Sequence, residues 1–200
     1  MPLGGSITHG VGSSDGNGYR EILHDTLIAD GYAVDMVGSR KTGKGHCHEG
    51  WRGYRIDQIA AKAAKSIPEL KPNVLTINAG SNDCIQDFEI NSAGDRIDQI
   101  LRLAWSIVPS STLLLSTLLP NIDTAVESRV LLLNEQIQML WERHDAAGRK
   151  IVLVNMHGSR GPLLDQLVVD GTHPNDAGYR CMASLWREAF AEAASKGFLR

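Results

Sequence analysis

The feature that most constrains this chain is the alternation of two kinds of apolar segment. Short runs occur at Ala33–Val37, Val74–Ile77, Leu113–Leu115 and Ile151–Val154. They are β-branched or leucine-rich and show no polar alternation, as expected of strands buried on both faces of a parallel sheet. Helical stripes lie between them. Ile56, Ile59, Ala60, Ala63 and Ile67 form one, which Pro68 is expected to stop. Ile97, Ile100, Leu101 and Ala104 form another. Val126, Val130, Leu133, Ile137 and Leu140 form a third, ending near Gly148, and Met182, Leu185, Trp186, Ala189 and Phe190 a fourth, ending near Gly197. An early helix is expected from about Tyr19 to Asp30, closed by Gly31. Strand–helix alternation of this kind gives an α/β three-layer α/β/α sandwich around a mainly parallel sheet. The first strand, Met1–Leu3, is unusually short.

Composition narrows the function. With 200 residues, no repeat and no linker, the chain reads as one domain over 1–200, large enough to bury a core without staples. Its net charge of −3 and lack of a basic stripe argue against a nucleic-acid partner. No run approaches the roughly 18 apolar residues of a membrane span. Cys47, Cys84 and Cys181 are odd in number and widely spaced, giving neither a disulfide framework nor a paired zinc motif. His46 and His48 flank Cys47, but no second cluster matches them in sequence. The N-terminus lacks the charged and apolar regions of a secretory signal, so a complete chain would be cytoplasmic and a trimmed one secreted. No long apolar helix face is left over, and a monomer is expected.

Polar and small residues cluster after the strands. Gly4-Gly5-Ser6 follows the first strand, and a long loop ending His48-Glu49-Gly50-Trp51-Arg52-Gly53-Tyr54 follows the second. Gly80-Ser81-Asn82-Asp83 follows the third, and Asp170-Gly171-Thr172-His173 precedes the last helix. In such sheets ligands bind beyond the carboxyl ends of the strands. Ser6, after two glycines, is the best nucleophile candidate; a serine hydroxyl needs a base to activate it. His173 is the best base, with Asp170 three residues earlier to orient it across a turn at Gly171. Asn82 offers a side-chain amide for an oxyanion, and the glycine loop at Gly53 a close backbone N–H. Each part has a plainer reading: Gly4-Gly5-Ser6 as a helix cap, Asn82-Asp83 as an Asx turn, Asn175 as the cap of the last helix. Trp51 is the aromatic placed at the site as a substrate contact. Cys84 either lines the site or is structural.

Together these four blocks resemble the SGNH hydrolase superfamily, the GDSL-type esterases, in order and spacing over essentially the whole chain. The resemblance implies a flavodoxin-like fold with a five-stranded parallel sheet. It implies Ser6 as nucleophile, His173 as base and Asp170 as its orienter, with an oxyanion hole from the Ser6 N–H, the Gly53 N–H and the Asn82 side chain. It implies no catalytic metal and no organic cofactor. Gly12 to Arg20, Val37-Gly38-Ser39 and His48 to Ile56 are similar to the branch holding the acetylxylan esterases of carbohydrate esterase family 3, where Gly53 is preferred to Gly50 as the donor. The expected activity is hydrolysis of a short, acetyl-type ester of a carbohydrate or small-molecule alcohol through an acyl-enzyme. The alternatives are an acyltransferase, a lipid or thioester hydrolase, or a catalytically weakened carbohydrate or small-molecule binder. The last is suggested by a departure: Gly5 stands where the family usually has aspartate.

Overall fold

The computed structural model describes residues 1–42 and 46–199. Among the described residues six strands form one sheet: β1 (Pro2–Gly4), β2 (Arg40–Thr42), β3 (His46–Gly50), β4 (Val74–Asn78), β5 (Thr112–Ser116) and β6 (Ile151–Val154). Their spatial order is β2-β3-β1-β4-β5-β6. All neighbours pair in parallel except β2 and β3, which are antiparallel with Thr42 opposite His46. The helices are α1 (Ser6–His9), α2 (Arg20–Ala29), α3 (Ile56–Leu70), α4 (Ser81–Gln86), α5 (Ala93–Ile107), α6 (Thr124–Ala146) and α7 (Asp176–Ser195).

Strand alternation sends side chains into two cores. Leu113 and Leu115 of β5 pack with the stripes of α3, α5 and α6 on one face. Leu114 between them packs with α2 and α7 on the other. The helices therefore flank the sheet on both faces, and the expected three-layer sandwich is what forms. Among the described residues no helix is long and apolar enough to cross a membrane.

Two expectations about elements fail for identifiable reasons. The run Ala33–Val37 forms no strand. The position beside β1 is taken instead by His46–Gly50, with Leu3 opposite Glu49. This strand reads as a polar loop because His48 and Glu49 are both fully buried yet satisfied. Glu49 accepts from the Ser39 N–H at 2.5 Å, Ser66 Oγ at 2.7 Å and Trp51 Nε1 at 2.9 Å. Burial raises its pKa, but those hydrogen bonds outweigh it and hold the carboxyl below its usual range. The sheet thus has the five expected parallel strands plus an antiparallel sixth, β2, on its outer edge.

Nor does Pro68 end its helix. α3 runs on to Leu70 and stops at Lys71, whose φ is +43° and whose N–H reaches Ile67 O at 2.9 Å. A left-handed cap is costly for a residue with a Cβ and natural for glycine. Lys71→Gly is therefore expected to stabilise the protein by about 0.5–1 kcal/mol, read as a higher midpoint in urea with an unchanged m-value.

Candidate active site

β1 delivers the chain to the carboxyl edge of the sheet at Gly4. A Cβ there would stand 2.1 Å from Asn78 O and 2.4 Å from Thr8 Oγ1, so only glycine lets β1 and β4 approach this closely. The chain then turns into α1, with Ser6 as its first residue. Tyr179 of α7 donates from its hydroxyl to Val11 O at 2.6 Å and Ile7 O at 3.2 Å, fixing this segment against the last helix.

The opposite end of the chain supplies the partner. Asp170 Oδ1 accepts from the backbone N–H groups of Thr172 at 2.9 Å and His173 at 3.0 Å. Gly171, at φ +69°, permits this tight turn. His173 Nδ1 lies 2.7 Å from Asp170 Oδ2, and His173 Nε2 lies 2.7 Å from Ser6 Oγ. An ionised carboxylate only accepts, so Nδ1 carries the proton and Nε2 accepts from the serine hydroxyl. Partial burial pushes the Asp170 carboxyl up, but the hydrogen bonds from His173 and Thr172 prevail and hold it below its usual range. Asn175 caps α7 by accepting from the Ala177 and Gly178 N–H groups, as the sequence leads one to expect.

Asn82, the second residue of α4, donates from Nδ2 to Tyr54 O at 3.0 Å. It lines a recess with Gly5, Ser6, Ile7 and Tyr54. The adjacent Asp83 is fully buried rather than a simple turn residue. It accepts from the Ile56 N–H at 3.0 Å and Arg96 Nη1 at 2.5 Å, joining α4 to the start of α3 and to α5. The turn Trp51–Tyr54 closes with the Tyr54 N–H on Trp51 O at 3.3 Å and rests against Gly5. Gly53 lies in that turn at φ +76°, exposed, and does not line the recess. Gly50 is removed from contention as a donor, because its N–H is given to His48 Nδ1 at 2.9 Å.

The other two contacts expected from sequence fare differently. The Trp51 ring is committed to packing: Lys62 Nζ is 3.9 Å and Arg40 Cζ 4.4 Å from its centroid, and Tyr54 stacks on it at 5.4 Å. Cys84 is fully buried in the core and does not line the recess, which corrects its reading as a substrate contact. Burial pushes its thiol up to about 12.

One supporting network escaped the sequence. Arg20 is fully buried and donates to Thr8 O at 2.5 Å and Thr42 Oγ1 at 2.8 Å. Thr42 Oγ1 also lies 2.8 Å from His48 Nε2 and donates to His9 O at 3.3 Å. Because the Gly50 N–H points at Nδ1, His48 carries its proton on Nε2 and is neutral. Two carbonyls of α1, those of Thr8 and His9, are thereby fixed within a few residues of Ser6. The only available signal was Arg20 beside Tyr19 at a helix start, which does not distinguish a buried arginine from an exposed one.

The same family emerges from comparison with other proteins. The profile of the GDSL-like Lipase/Acylhydrolase family matches residues 3–181. A search of curated proteins gives no match. Among solved structures, a Clostridium thermocellum family 3 carbohydrate esterase is similar at 25% identity and TM-score 0.84, over 96% of this chain and 94% of that one. A carbohydrate esterase family 3 structure from Talaromyces cellulolyticus is 21% identical with TM-score 0.84, over 98% and 97%. A serine-to-alanine mutant of an acetyl esterase, solved with an acetate ion, is 20% identical with TM-score 0.85, over 98% and 97%.

Proposed function

The chain belongs to the GDSL-like lipase/acylhydrolase family, and from that premise we propose that it is a serine esterase acting on acetyl esters of a carbohydrate or similar small alcohol. The observation that carries this is the unbroken line Asp170–His173–Ser6, with both links at 2.7 Å. Ser6 Oγ attacks the ester carbonyl as His173 Nε2 takes its proton, and Asp170 stabilises the imidazolium that results. The Ser6 N–H and Asn82 Nδ2 hold the tetrahedral oxyanion. Gly53 is the backbone donor proposed to complete the hole, since Gly50 has spent its N–H on His48; Gly53 sits exposed on the turn that rests against Gly5, beside the recess rather than in its lining, so this role requires the turn to present its N–H when substrate binds. His173 then protonates the departing alkoxide, and water, activated by the same base, clears the acyl-enzyme. No step calls for a metal or organic cofactor. The carbohydrate alcohol is supported by the family 3 carbohydrate esterase at 25% identity.

A specific observation favours a second reading, hydrolysis of longer acyl chains or lipids. Ile122, Leu163, Leu164 and Val169 are all exposed around the segment leading to Asp170, and Ile122 packs directly against Gly171. The test is a series of p-nitrophenyl acetate, butyrate and octanoate, run beside acetylated xylo-oligosaccharides. The acetyl reading expects kcat/KM to fall by about tenfold or more from acetate to octanoate. A rise along the series transfers the assignment to the lipid reading. A fluorophosphonate should label Ser6, located by mass spectrometry of the tryptic peptide; labelling elsewhere would overturn the nucleophile assignment.

Gly5 does not argue for a dead enzyme. A Cβ at this position would meet nothing closer than Asn82 Nδ2 at 3.5 Å, and its φ is −90°. The space of the usual aspartate is therefore open, and Asn82 is steadied by Tyr54 O instead.

A further inference from the structure

From the grouping of three side chains that are not among the proposed esterase residues, we propose that His24, Asp25 and His46 form a binding site for a divalent transition metal of the zinc type. His24 and Asp25 lie on α2, and His46 opens β3, so the donors come from two separate elements. One ligand atom from each lies within 4.8 Å of the other two. His24 Nδ1 and Asp25 Oδ1 are 3.0 Å apart. Zinc–nitrogen bonds of about 2.0–2.1 Å in a tetrahedron place neighbouring ligand atoms about 3.3 Å apart. The first pair already meets that spacing, and the third ligand atom lies within 4.8 Å of both. The two rings stand 4.2 Å apart, centroid to centroid, tilted by 36°.

The chemistry selects the ion. Two imidazoles and one carboxylate suit zinc, nickel or copper and not magnesium or calcium, which take oxygen ligands. Metal binding requires the neutral imidazole. Glu21, whose carboxylate acts on His46, adds negative charge on the same side of α2. Asp25 is largely exposed and His24 partly so, which gives an ion a way in and leaves its remaining coordination to water. His46 is paired in register with Thr42. A bound ion therefore ties α2 to the β2–β3 hairpin at the end away from Gly50.

The test titrates ZnCl2 into the whole protein by calorimetry, with NiCl2 and MgCl2 as parallel arms, for the wild type, His24→Ala, His46→Ala and the double variant. The expected result is one zinc or nickel per chain, no magnesium, and an affinity reduced about tenfold or more by each single change. Asp25→Asn should weaken binding without abolishing it. Far-ultraviolet circular dichroism and turnover of p-nitrophenyl acetate without metal should be unchanged in all variants, since none of these residues belongs to the proposed esterase site. Zinc binding that persists in the double variant at wild-type affinity places the ion elsewhere and overturns the proposal. So does an absence of binding at millimolar zinc. Repeating the titration in Ser6→Ala separates this site from the esterase reading, because binding there should be intact.

Discussion

Replacing Ser6 with alanine is expected to lower kcat for p-nitrophenyl acetate by roughly 10³- to 10⁶-fold while leaving KM nearly unchanged. The size of the effect follows from what the change removes. His173 Nε2 has the Ser6 hydroxyl as its partner at 2.7 Å, so alanine takes away both the attacking atom and the proton the base was placed to accept. What survives is the preorganised donor set around Ser6 and Asn82, which retains some stabilisation of an oxyanion formed by water. Ser81→Ala, on the neighbouring helix α4, serves as the control and should keep most of the activity. If Ser6→Ala retained a tenth of wild-type turnover, the nucleophile would have to be another group and the mechanism above would fail.

The second large effect concerns acid. His48 is fully buried, and burial followed by the charges of Arg20, His9 and Arg40 lowers its pKa to about 3. A proton added to Nδ1 would confront the Gly50 N–H, which already donates there. In the unfolded chain the same imidazole titrates near 6.5. Between about 3 and 6.5 the unfolded state thus binds one proton more than the native state, and stability rises with pH in that window. The contribution is complete above pH 6.5 and is lost as the pH falls towards 3. Its slope approaches about 1.4 kcal/mol per pH unit. His9 and His46 are also held below their usual values and add to the total slope. Urea unfolding of wild type and His48→Gln from pH 4.5 to 7 isolates the term: the variant, though less stable at neutral pH, should lose one proton's worth of slope. Parallel slopes would refute the neutral, buried assignment.

How much of this was legible depended on where polarity and burial agreed. β4, β5 and β6 and the stripes of α3, α5, α6 and α7 were readable because their buried positions are apolar. β3 was hidden because His48 and Glu49 carry the sequence signature of a loop while their hydrogen-bond partners, Thr42, Ser39 and Ser66, lie up to 17 residues away. Ala33–Val37 was misleading for the converse reason: its side chains do pack on the cores through Val34, Met36 and Val37, but its backbone joins no ladder. Asp170 and His173 were legible because three residues and a glycine define their turn. Ser6 needed the other blocks, since Gly-Gly-Ser alone more often marks a helix cap. Cys84 was ambiguous because position after Asn82 says nothing about which side of a six-residue helix meets the core.

The hydrogen bond between Ser6 and His173 joins residues 167 positions apart, and β1, which carries Ser6 to its place, lies between β3 and β4 at the centre of the sheet. A ribosome therefore releases Ser6 167 residues before His173. Until His173 emerges, Ser6 lacks the imidazole proposed to activate it. On the proposed mechanism, competence arrives only when the segment carrying Asp170 and His173 docks against β1 and α1, so esterase activity reports that long-range docking rather than the formation of either part alone.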